Sequence, residues 1–522
     1  IAIYINDEMS YDKFHEKADR IYRVNRLYNS NNVNEDAATC SFPLAPALEF
    51  DYPDIVKSTC RFFNFQVSKV FFEYRQDTSN IVKYDERGFY LVDSTVFCIF
   101  TFPFVKGDPA TALNRPNTLV LTTSAAERYF GKEDPIGKIL RAEEGLDFEV
   151  TGVIGNIPSQ SHFKFDMLGS MSTFRQLGGG ELPRTWIWNP CWTYVLLPEN
   201  VSPDLLEKEF PDFYLNHYPD LSDQDVTLYL QQLTDIHLES DHDYEMHPNS
   251  KILYVYILWA IAIIVLVLAC INFMNLTTAN SASRAKEIGV KKVFGGSRNK
   301  LTWQFLGETI ILSLIALAIA GIIVELFWPA FNHFTGKRIP NSYMFQPVSI
   351  VFAFCLTVFV GFLAGVYPAL FLSSFKPVTV LQGDLSSGAK SGTARKILVV
   401  AQFSISIALI IGTLVVFSQL KYLSNAYLGF RKDQIILIPT VRQIATNYDT
   451  FKENLLKHPD VEYVTGMEDI LGANHNTRQV TIEGLSQDQS YWFPMFMVRH
   501  DFIETFNIEV VEGRSFSKEI TS

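Results

Sequence analysis

Four long apolar runs constrain this chain more than anything else in it: Leu253–Met274, Thr309–Trp328, Pro347–Leu372 and Ile397–Phe417. Each has about the 20 residues that a helix needs to cross a bilayer. Only Glu325, near the end of the second run, brings a charge into any of them. Lipid offers no partner for backbone polar groups, so such runs are satisfied as helices. Charge divides the chain the same way. The 522 residues carry a net −12, made of −17 over residues 1–250, +11 over 251–440 and −6 over 441–522. An acidic, a basic apolar and an acidic block in series predict two water-facing regions flanking a membrane region. The expected fold class is therefore a membrane protein, an α-helical transmembrane bundle plus α+β extracytoplasmic domains. The acidity argues against nucleic acid as a partner, since a phosphate backbone must be met by clustered Lys and Arg.

Loop charge gives the orientation. The loop after the first run carries Arg284, Lys286, Lys291, Lys292, Arg298 and Lys300, and the loop after the third carries Lys376, Lys390, Arg395 and Lys396. The loop between them in order, after the second run, has only Lys337 and Arg338. Both richly basic loops thus fall on one side, the cytoplasm, and both acidic blocks lie outside, in the periplasm of a cell with two membranes. The expected location is the cell inner membrane.

Within the first acidic block, Thr118–Leu121 reads as a strand, followed by a Thr or Ser N-cap, a short helix and a stop at Gly131. Phe148–Ile154 alternates as a strand should. Cys40, Cys60, Cys98 and Cys191 lie in this block with irregular spacing, so disulfides there are an open alternative if the compartment is oxidising. His237, His242 and His247 stand among Asp235, Asp241, Asp243 and Glu245. No two of these histidines have the spacing of three or four that would share a helical face, so the stretch reads as a solvated acidic connector rather than a metal site.

An internal repeat organises the whole. Tyr52-Pro-Asp-Ile resembles His458-Pro-Asp-Val, and Phe100–Gly107 resembles Phe506–Gly513, both at an offset of 406. The same offset lays Ile1–Ile5 over Ile407–Ile411, inside the fourth apolar run. The expected organisation follows: residues 1–5 as the end of a truncated first transmembrane helix and 6–250 as an extracytoplasmic domain. Residues 251–380 form a transmembrane domain with a cytoplasmic coupling helix at 282–294, and 381–396 a linker. Residues 397–417 open a second half, and 418–522 start its external domain.

No Gly-x-x-x-x-Gly-Lys-[Ser/Thr] phosphate loop occurs in the chain, so ATP hydrolysis is not expected of it. Nor does any nucleophile-elbow or zinc-protease pattern occur. The segment Ser281-Ala-Ser-Arg-Ala-Lys-Glu-Ile-Gly-Val-Lys-Lys-Val-Phe-Gly-Gly296 is the sharpest feature. Ala282, Ala285, Ile288 and Gly289 fall at helical spacing, surrounded by basic residues, and Gly295-Gly296 supplies a left-handed stop. Two readings stand side by side: a basic helix lying on anionic lipid, or a docking helix for a cytoplasmic partner. In the third run Gly361 and Gly365 form a small-xxx-small pair suited to close helix packing, with Gly tolerated in a membrane helix as the plain alternative. Pro368 is expected to kink that run.

The stretch Arg284–Leu314, with Lys286-Glu-Ile-Gly-Val-Lys-Lys292 and Gln304-Phe-Leu-Gly-Glu308, resembles the MacB/FtsX-like ABC permease superfamily. So do Gly361-Phe-Leu-Ala-Gly-Val-Tyr-Pro-Ala-Leu370 and, in the external block, Phe130-Gly-Lys-Glu-Asp-Pro-Ile-Gly-Lys138 and Phe148–Pro158. The resemblance implies a permease subunit whose Arg284, Lys286, Glu287, Ile288, Gly289, Val290, Lys291 and Lys292 dock an ATPase. It implies ATP and Mg bound by that partner ATPase dimer, no cofactor in this chain, and mechanical coupling to external domains that extrude a substrate (a drug, peptide or lipoprotein-like molecule). A periplasmic adaptor and an outer-membrane channel are implied partners. A homodimer, or a pseudo-dimer built from the two halves, is the implied assembly. The alternative is a signal transducer that moves no substrate and instead regulates an external cell-wall hydrolase.

Overall fold

The computed structural model describes residues 1–30, 33–64, 69–76, 81–142, 145–218, 225–337, 339–373, 389–438, 442–468, 470–472, 476–480 and 491–517; the side chains of 278–286, 288–289 and 389–395 are among those outside this description. The described residues form two units, Ile1–Met9 with Ile252–Ala426, and Ser10–Lys251 with Tyr427–Ser522.

The first unit is helical: α1 (Ala2–Glu8), α2 (Ile252–Val293), α3 (Arg298–Thr335), α4 (Pro347–Ser373) and α5 (Ala389–Asn425). Four of these are long and apolar enough to cross a membrane. Their large side chains point outward, with Ile322, Leu326, Val348 and Phe417 more than two-thirds exposed, a surface that only lipid can cover at no hydrophobic cost. The segment 282–294, expected as a coupling helix, is helical to Val293 and continues the first span without a break. Asn275 to Glu287 contains neither Pro nor Gly, so nothing breaks the first span, and α2 runs 42 residues, about 63 Å. Likewise α5 starts at Ala389, taking up the end of the expected 381–396 linker, of which 381–388 lie outside the described residues.

The second unit holds a mixed sheet. Its strands are β1 (Ile21–Ser30), β2 (Val33–Ala37), β3 (Ser58–Phe63), β4 (Val70–Arg75), β5 (Ile81–Glu86) and β6 (Phe89–Val92). Next come β7 (Phe104–Gly107), β8 (Thr118–Thr122), β9 (Ile139–Ala142) and β10 (Asp147–Ile154). The sheet is completed by β11 (Met167–Ser170), β12 (Trp192–Leu196) and β13 (Asp225–Gln232). The order is β13-β1-β12-β3-β6-β11-β8-β10-β9-β4-β5, with β2 on β1 and β7 on β10. Pairs β8–β10 and β6–β11 are parallel; the rest are antiparallel. The dense aromatics between Phe62 and Phe104 become core: Phe62 stacks on Phe163 with centroids 4.9 Å apart, and Phe100 meets Phe163 edge-on at the same distance. After β8, Thr122 caps the helix Thr123–Phe130 by accepting from the Ala125 amide at 3.3 Å, and Gly131 closes it at φ +62°.

The stretch 235–247 is not the solvated connector that its acidity predicts. Arg23, fully buried on β1, donates to both Glu245 carboxylate oxygens at 2.7 and 2.8 Å, and to Ser240 Oγ and Gln231 Oε1 at 2.9 and 2.8 Å. Burial opposes the charge on Arg23, yet the hydrogen bonds and charge of Glu245 raise its pKa. A buried guanidinium must be paired, and this need draws the acidic stretch inward. His237, His242 and His247 then go to different partners: the Tyr11 ring, Asp36 and the Tyr90 hydroxyl. Among the described residues no group of His, Cys, Asp and Glu has the arrangement of a metal site. All six cysteines are free thiols, and Cys40 and Cys191 exchange both backbone hydrogen bonds in an isolated antiparallel bridge.

The offset of 406 recurs in the backbone. Ile55 N donates to Tyr52 O at 3.0 Å, and Val461 N to His458 O at 3.1 Å. Ile99 N donates to Thr95 O at 3.1 Å, and Thr505 N to Asp501 O at 2.9 Å. Gly107 has φ +89° and Gly513 has φ +91°. Residues 427–436, which match β1 at this offset, do not form a strand. β1 itself is flanked by β12 and β13.

Candidate functional site

The basic segment is the last four turns of α2. Its apolar portion, Ile252–Thr277, accounts for a bilayer crossing, so residues 278–293 extend about 24 Å further. Glu287 and Lys291 form an i,i+4 pair at 2.8 Å, both well exposed. This orientation is the favourable one and is worth a few tenths of a kcal/mol. Lys291 and Lys292 also sit where the helix macrodipole favours cations. Burial first, then the Arg298 charge, lowers the Lys292 pKa.

The end of α2 is sharply defined. Gly295 N donates to Lys292 O at 3.1 Å and Gly296 N to Lys291 O at 2.9 Å, with Gly295 at φ +91°. This is the Schellman arrangement, in which two orphan carbonyls are satisfied at once. A Cβ on Gly296 would stand 2.8 Å from Lys291 O. Ser297 then caps α3, its side chain accepting from Lys300 N at 3.4 Å. Four residues, Phe294 to Ser297, therefore turn the chain from one long helix into the next.

Of the sequence-predicted docking set, Glu287, Val290, Lys291 and Lys292 have described side chains. Arg284, Lys286, Ile288 and Gly289 are helical in backbone, and their side chains lie outside the described residues. The structure adds residues that sequence reasoning passed over. Phe294 is 87% exposed, Val293 61% and Trp303 70%, a group of apolar side chains at the turn among Lys291, Lys292, Arg298 and Lys300. The signal was present as an apolar Val-Phe pair just before the Gly-Gly stop.

Gly361 and Gly365 face α3. A Cβ on Gly365 would come within 2.3 Å of Thr309 Oγ1, and one on Gly361 within 2.9 Å of Ser313 Oγ. The Thr309 hydroxyl lies 3.2 Å from Gly361 O, close enough to donate, and 2.8 Å from Leu306 O. Pro368 lies inside α4, next to Ala369, which packs with Leu301, Phe305 and Leu306. At the other end of α3, Lys337 pairs with Asp7 at 2.6 Å and with Glu8, and its ammonium stands 4.8 Å from the Tyr4 ring centre. This clamp holds α1 on the bundle.

Comparison with known proteins brings the two units under one description. Residues 1–213 match the MacB-like periplasmic core domain, and residues 259–377 match the FtsX-like permease C-terminal region. The chain belongs to the MacB/FtsX-like permease family. Among relatives of this permease, the macrolide export ATP-binding/permease protein MacB of Bdellovibrio bacteriovorus is 24% identical over 275 residues, covering 52% of this chain and 39% of that protein. The pyoverdine export ATP-binding/permease protein PvdT of Pseudomonas syringae is 23% identical over 306 residues, covering 55% and 41%. The permease chain thus spans about two-fifths of the length of these relatives. The crystal structure of the periplasmic region of MacB from Actinobacillus actinomycetemcomitans aligns with 42% of this chain and 90% of that one, at 14% identity and a TM-score of 0.30.

Proposed function

We propose that this permease couples ATP hydrolysis by a separate ATPase to movement of its extracytoplasmic core domain, and that it does so to export a substrate. The unbroken helix α2 carries the proposal. One helix both crosses the bilayer and projects a basic, apolar-tipped end beyond it, so a push on that end reaches the span without passing through a joint. The exposed Phe294 and Val293, with Lys291, Lys292, Arg298 and Lys300 close by in sequence, suit a partner surface with an apolar pocket and acidic rim. Lipid headgroups alone would not require a stiff helix end closed by two obligatory glycines.

Loop charge supports an inner-membrane protein with this turn in the cytoplasm. The recurrence of hydrogen bonds and a left-handed glycine at one offset supports a second core domain beginning after α5, and with it a pseudo-dimer. The names of the relatives support export as the outcome; the substrate is proposed only as one handled on the outer side of the membrane.

The test is substitution in the purified permease with the ATPase that co-purifies with it. Replacing Glu287, Ile288 and Lys291 together by Ala is expected to weaken ATPase retention by about tenfold and to abolish permease-stimulated hydrolysis. Retention and stimulation both unchanged would refute docking through this segment. Stimulated hydrolysis with no exported substrate, alongside a captured cell-wall hydrolase, would replace export by signalling.

A further inference from the structure

Residues 10–16 follow α1 directly in sequence, and they carry a device that partner docking does not use. Asp12 is fully buried at φ +59°, a left-handed conformation uncommon outside glycine. Its amide donates to Gln160 O at 2.9 Å. Its carboxylate accepts from Ser161 Oγ at 3.1 Å and from the His162 amide at 3.1 and 3.3 Å. His162 Nδ1 stands 2.9 Å from Asp12 Oδ2, while its Nε2 lies 2.8 Å from the Tyr194 hydroxyl. On the other side, His15 Nε2 is 4.0 Å from Asp12 Oδ1, and its Nδ1 accepts from the Thr101 amide at 3.0 Å. One residue earlier the Tyr11 ring stacks on His237, centroids 3.3 Å apart and planes 2° from parallel.

Tyr11, Asp12 and His15 are thus fixed to three separate stretches of the core domain, at 101, 160–162 and 237, and His162 is held in turn by Tyr194. Apolar side chains would bury a connector more cheaply than a carboxylate and two imidazoles. Directional bonds to an ionisable group do something apolar packing does not: they permit one geometry and penalise slippage out of it. We propose that Asp12, His162 and Tyr194 form a rigid joint at the entry of the core domain, holding residues 10–16 in one geometry so that movement reaching them is passed on without slack, Asp12 acting as a positioning residue. The inference rests on the coupling reading above. The second half lacks the device: at the offset of 406, Asp12 and His15 become Ser418 and Lys421, inside α5, which stays helical to Asn425.

The experiment is hydrogen exchange on the full permease with its ATPase in lipid nanodiscs, with and without ATP plus vanadate, for wild type, Asp12→Asn and Tyr194→Phe. The expected result is loss of about tenfold protection at residues 10–16 in Asp12→Asn, with vanadate-sensitive ATP hydrolysis retained. The exchange changes that trapping induces in the core domain of the wild type are expected to disappear. Tyr194→Phe, which removes one hydrogen bond, is expected to act in the same direction and less strongly, and serves if Asp12→Asn does not fold. Unchanged protection at 10–16 in the variants would overturn the joint. So would lost protection with the trapping-induced changes intact. Absence of any such change in the wild type would overturn the coupling reading itself, and the joint with it.

Discussion

At the scale of single residues, the core domain keeps several ionisable groups in unusual states. Burial, offset by the Asp12 carboxylate and reinforced by His162, lowers the His15 pKa to about 4. Burial, then the Lys164 charge, lowers the His247 pKa to about 4 as well. Both imidazoles are therefore neutral in the fold at pH 7, whereas an unfolded histidine takes up its proton near pH 6.5. Between those two values the unfolded chain binds more protons than the native one. The stabilisation that neutral His15 and His247 contribute is thus whole above about pH 6.5 and is lost as pH falls towards 4. We expect about 2 kcal/mol lost per histidine between pH 7.5 and 5, seen as a drop in Tm of the purified permease. The double variant His15→Gln, His247→Gln should have a flatter profile than wild type over that range. Parallel profiles for the two would contradict the assignment. None of this was legible in the sequence, where His15 is one polar residue in a polar stretch. Its burial depends on Phe100, Phe102 and Phe163 closing over it, and those contacts are set by tertiary structure.

At the scale of elements, local signals served best where the determining interaction is itself local. Gly295-Gly296 reads as a helix stop because the Schellman bonds need only the residues beside it. Thr118–Gly131 reads as strand, cap, helix and stop for the same reason, the cap being Thr122. The change from apolar to basic composition near Thr277 does not end the helix, because only Pro, Gly or a cap makes a boundary. Packing between α3 and α4 is an element-scale property with a direct test. Gly365→Ala puts a methyl group against Thr309 and is expected to cost about 1–3 kcal/mol. Thr309→Ala in the same chain should recover much of that, since it removes the obstructing hydroxyl. A double-mutant cycle on thermal stability in detergent measures the coupling. Strictly additive effects would mean that the two helices do not meet at this notch.

At the scale of the whole molecule, charge blocks and apolar runs were enough to separate the membrane helices from the core domain, because lipid solvation acts on composition rather than on contacts. The order of the sheet was not legible. Strands β6, β11 and β8 are neighbours although they come from three distant stretches, and nothing local specifies such pairings. The buried Arg23–Glu245 pair, 222 residues apart, was hidden for the same reason and made an acidic connector look solvated. The offset of 406 read from the sequence pairs Gly107 with Gly513, and both have positive φ. What unifies these parts is the claim that the tip of α2 is where a cytoplasmic ATPase takes hold. Photocrosslinking in native membranes tests that claim most directly, with a photoreactive phenylalanine at position 294 and a control at the exposed Ile187 of the core domain. The account predicts a covalent adduct between position 294 and the ATPase, and none from position 187. Adducts only with lipid at position 294, in membranes where the ATPase co-purifies with the permease, would contradict it.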